Sequence, residues 1–551
     1  MASIADKVIK CLEKSKNFIV EAGAGAGKTH TLVEALSYLL MNRSENYLAR
    51  GQQIVCITYT NIAADEIKSR INNDPLVRVS TIHDFLWSVM SGYQNELRNC
   101  LLSVNRQSVG SRYIDDLDLA NVKIEYWQYG RKWREGKVHH DDVITLASGM
   151  FLSYPKLSRL VSDRYPVIFV DEYQDTQESV IRVLLDALAK ENGDRLTIGF
   201  FGDYMQKIYE TGVGRLNRPE LETIQKRENY RCSTEVIKVL NKLRPSLQQV
   251  AAGDNITGGA RFFYSRNGGV TAIDTFRKRL QDEGWSSNEK ILMLTRRSIA
   301  KSLGWEDMRC VYSKRGGFAL DDLLRKDDAF SDMFQVIEDS VAAFNDCRYG
   351  NLYALLSPQN NSHRNKQILN LRDYKSQLSR GIENLMIMRQ SATIGEVLDY
   401  VWSENLVAKT SRVAQLEERS HSDENLRIFF RALRGIPYSQ VSALHRYLND
   451  ETPFSTKHGT KGEEYDDVLV VIDDNSWKRY KFTSVLERDE SKPQYERSLN
   501  LFYVCCSRAR RNLAVLMVSK INDNAIQGAR RIFGPGQVVD FEDFICTGEE
   551  V

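Results

Sequence analysis

The residues with the clearest chemistry are Glu21-Ala22-Gly23-Ala24-Gly25-Ala26-Gly27-Lys28-Thr29-His30, set between an apolar run ending at Val20 and a helical pattern starting at Thr31-Leu32-Val33. A glycine-rich turn lets backbone N–H groups face phosphate oxygens, and the helix that follows adds its positive end. Lys28 can then reach the β- and γ-phosphates of a nucleotide, and Thr29 can hold Mg²⁺. Ala22 stands where the general pattern has its first glycine. A second group follows the apolar run Val167-Ile168-Phe169-Val170, which delivers Asp171 and Glu172 at its end. Acids in that position lie at the mouth of an α/β site. Asp171 suits Mg²⁺, and Glu172 suits orienting or deprotonating a water.

The elements that must hold these groups are short apolar runs, each followed by a helical pattern: 17–20, 54–57, 167–170 and 196–201, then 291–294, 468–472 and 513–518. Buried parallel strands alternating with helices have this rhythm. The expected fold is α/β, with two parallel-sheet cores. The charged, helix-like stretches 89–160 and 327–445 read as helical insertions into them. No repeat at a solenoid period and no low-complexity tract is present.

Composition bounds the function. A chain of 551 residues, 42% hydrophobic and 27% charged, is an ordinary multidomain globular protein. Lys+Arg 75 against Asp+Glu 73 leaves a net charge of +2, so any nucleic-acid contact must be a local groove. The nine cysteines are scattered without metal-ligand spacing, which argues against a disulfide scaffold, a zinc ribbon or an iron–sulfur site. No apolar run reaches the length of a membrane span and no leader pattern opens the chain, so a cytoplasmic protein with no membrane partner is expected.

Asp171-Glu172-Tyr173-Gln174-Asp175-Thr176 resembles the DEYQDT/DEFQDT box of UvrD-like superfamily 1 helicases. Further boxes follow the family's order. Thr58-Tyr59-Thr60-Asn61-Ile62-Ala63-Ala64 is similar to TFTNxAA, Ser80-Thr81-Ile82-His83-Asp84-Phe85 to TxHxF, and the segment from Gly202 to Tyr209 to GDxxQxIY. Asn229-Tyr230-Arg231-Cys232-Ser233 resembles NYRS, the segment from His458 to Tyr465 resembles HxxKGLEF, and that from Tyr503 to Ala509 resembles YVAxTRA. The resemblance implies two RecA-like cores: 1A over 1–88 and 161–225 with insertion 1B over 89–160, and 2A over 226–326 and 446–551 with a reduced insertion 2B over 327–445. It implies ATP and Mg²⁺ as cofactors. Ala22, Gly23, Ala24, Gly25, Ala26, Gly27, Lys28, Thr29 and His30 would line the nucleotide, with Thr29 and Asp171 on the metal. Glu172 would be the base, Gln206, Arg231 and Arg508 would face the γ-phosphate, Glu464 would hold the ribose, and Tyr230 would stack on adenine. Tyr59, Thr60, Asn61, His83 and His458 would contact single-stranded DNA.

Two departures stand out. No Gln precedes Lys28, and Lys7 falls near the place of the family's adenine-reading Gln box. Where relatives continue GDxxQxIY with a DNA-stacking Trp-Arg-Gly, this chain has Glu210-Thr211-Gly212. Outside the boxes, Tyr126, Tyr129 and Trp133 are spaced to share one helical face, which reads as insertion core in preference to a DNA platform. His139-His140-Asp141-Asp142 reads as a solvated loop in preference to a metal site. The functional expectation is an ATP-driven helicase or translocase on single-stranded or tailed duplex DNA, 3′ to 5′ by resemblance. The alternative is a DNA-sensing ATPase that regulates a partner nuclease, as the helicase subunit of Gabija-type antiphage systems does, a type this compact chain also resembles. The stretch after Arg508 is short for an appended nuclease domain, so cleavage by this chain itself is not expected.

Overall fold

The computed structural model describes residues 3–109, 113–127, 131–207, 211–268, 273–293, 296–356, 371–449, 452–455, 463–475 and 479–546. The chain divides into two compact units, Met1–Glu289 with Thr460–Val551, and Lys290–Gly459.

The first unit is built on parallel sheets. Strands β1 (Phe18–Ala22), β2 (Ile54–Thr58) and β3 (Val77–Thr81) come first; β4 (Glu125–Tyr126) and β5 (Lys137–Val138) form a small separate pair; β6 (Val167–Asp171), β7 (Thr197–Gly202) and β8 (Glu222–Lys226) complete the main sheet. Its order is β3-β2-β6-β7-β1-β8, parallel throughout. The inner strands β2, β6 and β7 are buried at every position, as a sheet covered by helices on both faces requires. Phe18, Phe169 and Phe201 pack edge to face in the layer between β1, β6 and β7. All the strands run the same way, so the segments after β1, β2, β3, β6 and β7 emerge at one edge. In open α/β sheets that edge is where ligands bind.

Short strands β9 (Glu228–Asn229) and β10 (Val250–Ala251) pair in parallel just beyond β8. A further parallel group in this unit contains β11 (Gly259–Tyr264), β14 (Tyr465–Ile472), β15 (Ala509–Met517) and β16 (Val538–Asp540), adjacent in the order β14-β15-β11-β16. Here the segments that precede β14 and β15 carry Glu463, Glu464 and Arg508.

The expected helical face through Tyr126, Tyr129 and Trp133 does not form. Tyr126 lies in strand β4 and Trp133 opens a 3₁₀ turn, closed by Gly136 at φ +73°; Tyr129 lies outside the described residues. Trp133 is nevertheless core, packed with Leu97, Leu101, Val143 and Phe151. His139-Asp142 is no solvated loop either: it is the first turn of the helix His140–Ser153, with Asp142 buried. Asp142 accepts from the Trp133 indole (3.1 Å) and from the His139 N–H (2.8 Å), and pairs with Arg131. Among the described residues no group of His, Cys, Asp and Glu could hold a metal by itself.

The second unit contains the parallel pair β12 (Lys290–Met293) and β13 (Phe454–Ser455), and is otherwise helical. Tyr312, Phe330, Phe334, Phe429, Phe430 and Tyr438 form an aromatic interior. Buried Asp328 collects the Tyr312 hydroxyl, the Phe330 N–H and Arg315. No described helix in either unit is long and apolar enough to cross a membrane.

Candidate nucleotide site and the adjoining sheet edge

The loop after β1 has the backbone that phosphate binding needs. Gly25 and Gly27 adopt φ +71° and +69°, a region that L side chains rarely enter. A Cβ on Gly25 would also lie 2.7 Å from both the Arg231 Cβ and the Asn229 Oδ1. Gly27 is the N-cap of the long helix Lys28–Ala49 and supplies no side chain to cap it, so the first N–H groups are left for a ligand. These features fit a polyphosphate. Ala22 is a buried β1 residue, and Ala24 and Ala26 are buried in the loop. His30 is turned out to solvent toward Glu34, 3.4 Å away.

Lys28 Nζ donates to Gln206 Oε1 at 3.1 Å and lies 3.6 Å from Glu172 Oε1. The loop lysine, the strand-end acid and the glutamine after β7 therefore meet. Glu172 itself sits at φ +51°, a costly conformation for a non-glycine residue. Its N–H donates to Asp171 Oδ1 at 3.0 Å, and Gln174 Nε2 donates to its carboxylate. Gln174 Oε1 in turn accepts the Asp203 N–H at 3.1 Å, so one side chain ties the β6 end to the β7 end. Asp171 is buried at the tip of β6 and Thr29 is half-buried in the first helical turn, a donor set of the hard-oxygen kind that Mg²⁺ takes.

Arg508 is 3% exposed. Its guanidinium donates to Val504 O (3.2 Å), Glu463 O (3.1 Å) and Ser507 Oγ (3.2 Å). Burial and neighbouring Arg231 push it down to about 10, with Glu172 pulling the other way, so it stays cationic at neutral pH. Arg231 forms an ion pair with Glu464. Glu464 is thus engaged by an arginine in this state. Tyr230 is 60% exposed, with its ring free of the core.

Several residues that the motifs left without a role complete the site. Asn229 Nδ2 and Gln249 Nε2 both donate to Ala24 O, at 2.9 and 2.8 Å, and the Tyr503 hydroxyl accepts the Ala24 N–H at 3.2 Å. Tyr230 N–H donates to Gly25 O at 2.9 Å. Lys226, at the end of β8, reaches Thr31 and Gly27. Asn229, Gln174 and Tyr503 lie inside recognised boxes; Gln249 and Lys226 lie outside them, and no local pattern points to either.

The residues expected on DNA follow β2 and β3, which pair side by side up to Thr58↔Thr81. Tyr59 is 41% exposed beside exposed Ile62. Thr60 caps the helix Asn61–Arg70 through its hydroxyl, which accepts the Ala63 N–H at 3.2 Å; Asn61 opens that helix. His83 stacks on His140, ring centroids 3.2 Å apart, and His140 Nδ1 bonds the Tyr126 hydroxyl at 2.7 Å. Burial and the His140 charge push His83 down to about 4. His458 lies outside the described residues. Thr211 is exposed, and the chain after it returns to 174–176, Val213 N–H donating to Thr176 O and Gly214 N–H to Gln174 O. Lys7, near the place of the missing Gln box, faces solvent on the helix Ile4–Glu13.

A family profile described as an AAA domain (AAA_19) matches residues 6–212, which carry the loop and the acid pair. The Gabija protein GajB of Bacillus cereus (strain HuB5-5) is 24% identical over 94% of this chain and 95% of its own length. The ATP-dependent DNA helicase UvrD1 of Mycobacterium leprae (strain TN) is 26% identical over 41% of this chain, and Rep of Buchnera aphidicola subsp. Baizongia pistaciae (strain Bp) is 24% identical over 41%. Those matches span 37% and 40% of the two helicases' own lengths. With its parallel-sheet α/β cores and the Lys28–Glu172–Gln206 cluster, the chain is similar to UvrD-like DNA helicases over about two-fifths of its length and to GajB over nearly its whole length.

Proposed function

We propose that this protein hydrolyses ATP to drive movement along single-stranded DNA in the 3′ to 5′ direction. The observation that carries the reading is Lys28 held between Glu172 and Gln206. Glu172 takes a proton from the water that attacks the γ-phosphorus, the bond to the β–γ bridging oxygen breaks, and ADP and phosphate leave. Lys28, Arg231 and Arg508 neutralise the charge that develops, and Gln206 orients the reacting groups. Mg²⁺, when bound by Thr29 and Asp171, supplies further neutralisation of the phosphates. Tyr230 stacks on the base, and Glu464 changes partner from Arg231 to the ribose. The 1A and 2A cores proposed from the motifs would supply opposite walls of the site, so that nucleotide turnover alters the grip of Tyr59, Thr60, Asn61, His83 and His458 on the strand.

A second output is favoured by the breadth of the GajB match, 94% of the chain against 41% for the helicases, and by Thr211 at the place of a stacking Trp. In this reading DNA-stimulated hydrolysis regulates a partner nuclease and unwinding is slight. ATP turnover with and without single-stranded DNA, followed by unwinding of a 3′-tailed duplex by the isolated chain, separates the two. Turnover stimulated by DNA with strand separation supports the motor. Stimulation without separation supports the sensor. No ATP turnover under either condition overturns both.

A further inference from the structure

We propose that Lys226 is a second cation of the nucleotide site, a positioning residue that strengthens polyphosphate binding through its charge. The inference rests on the ATP-site reading of the Gly23–Lys28 loop. Lys226 is the last residue of β8, paired with Ala22 at the end of β1, so its side chain arises beside the loop where the loop itself begins. It is 7% exposed. Its Nζ donates to Thr31 Oγ1 at 2.6 Å and to Gly27 O at 3.3 Å, and lies 5.8 Å from the centre of the Tyr230 ring. Gly27 O also accepts the Thr31 N–H at 3.2 Å. The ammonium therefore fixes the peptide at which the loop becomes helix, and with it the direction of the helix's first N–H groups.

The electrostatics say what this cation awaits. A buried ammonium is unfavourable without a counter-charge, and the start of a helix is already positive. Lys28, at the same helix start, has Glu172 beside it. Lys226 has no carboxylate within salt-bridge distance among the described residues; burial lowers its pKa, and Glu34 and Glu228 offset this only in part. Two lysines and a helix N-terminus thus converge, and among the described residues Glu172 is the one acid within ion-pair distance of either ammonium. An anion of several charges seated on the loop would relieve the repulsion, which makes the arrangement unfavourable when empty and strongly selective for a polyphosphate when filled.

Binding of a fluorescent ATP analogue to the full chain, together with the ATP-induced shift in melting temperature, tests this in the wild type, K226R, K226Q and K226M, with K28A as the control for the site. K226Q and K226M should each bind about tenfold more weakly, K226R should return to within about threefold of wild type, and the ATP-induced melting shift should shrink in step with affinity. Should K226M fail to fold, K226Q and K226R carry the comparison. Wild-type affinity in K226Q, or K226R as weak as K226Q, overturns the inference. A wild-type protein that does not bind ATP, or a K28A variant that binds as well as wild type, overturns the ATP-site reading itself and the Lys226 role with it.

Discussion

Asp203 and Arg244 meet at 2.7 Å with both side chains almost wholly withdrawn from water. Asp203 follows β7 and Arg244 caps the end of the helix Thr234–Leu243. The guanidinium also lies 4.7 Å from the centre of the Tyr204 ring. Burial raises the Asp203 pKa, and Arg244 pulls it back. The pair sits between the two segments that supply Gln206 and Gln249, both of which touch the nucleotide loop or its lysine.

Removing one partner of such a pair leaves a buried charge uncompensated. Arg244→Ala should destabilise the protein by about 3–5 kcal/mol, and Asp203→Asn in the same background should recover part of the loss. Chemical denaturation checks it. A loss below about 1 kcal/mol in Arg244→Ala would show that the pair is hydrated in solution.

Lys28→Ala should abolish turnover with a large loss of ATP affinity, while Glu172→Gln should stop turnover and keep affinity within a few-fold of wild type. Measured nucleotide binding in both variants separates holding from chemistry. Equal loss of binding in the two would contradict the assigned roles. Gln174→Ala should resemble Glu172→Gln in a weaker form, since it frees a strained acid without removing it.

Arg508→Ala should lower the turnover rate by about 10³ with a modest change in affinity, the scale of an arginine finger. Steady-state kinetics reads it directly. Because the guanidinium is also bonded to Val504, Ser507 and Glu463, the variant's melting temperature must be measured alongside. A slow enzyme that is also unstable points to architecture, and a slow, stable one points to the reaction.

His83 gives a pH dependence with a definite sign. Its pKa in the folded protein is pushed down to about 4 from the ordinary histidine value of about 6.5, so the unfolded chain takes up the proton first. Its contribution is complete above about pH 6.5 and is lost as pH falls toward 4, on the order of 1–2 kcal/mol. His140, also shifted down, acts in the same direction. Asp84 and Asp141 oppose the His83 shift. Melting temperature followed from pH 7.5 to 5 should fall more steeply in the wild type than in His83→Gln; parallel curves would contradict the buried stack.

The inner strands were legible because a strand covered on both faces must be apolar throughout, as Val167–Val170 is. Edge strands escape that rule. β8 reads Glu-Thr-Ile-Gln-Lys, with Ile224 and Lys226 buried and the others exposed, and it resembles a loop in sequence. The loop and the acid pair were legible because their chemistry needs fixed types at fixed local spacing, whereas Arg508 is pointed to only by the family resemblance of its segment. Lys226 and Gln249 were not, because their partners lie 195 and 225 positions away and each is a common polar residue. The Tyr126–Trp133 segment misled for a related reason: helical spacing of three aromatics is easily met by chance, and the turn at Gly136 decides the backbone.

The pairing of β1 with β7 and β8 has a consequence for how the protein comes into being. Phe18 pairs with Gly199 and with Glu222, so the strand that introduces the nucleotide loop has no neighbour until a late part of the chain exists. At a synthesis rate of about 5–20 residues per second, β1 waits on the order of 10–40 s on the ribosome with its apolar residues unpaired. β11 waits still longer for β15 and β16, pairing Ala260 with Leu513 and Phe262 with Val538. Nascent chains of this protein should therefore need chaperones that cover apolar strands, and slowing translation within 60–190 should favour aggregation over yield.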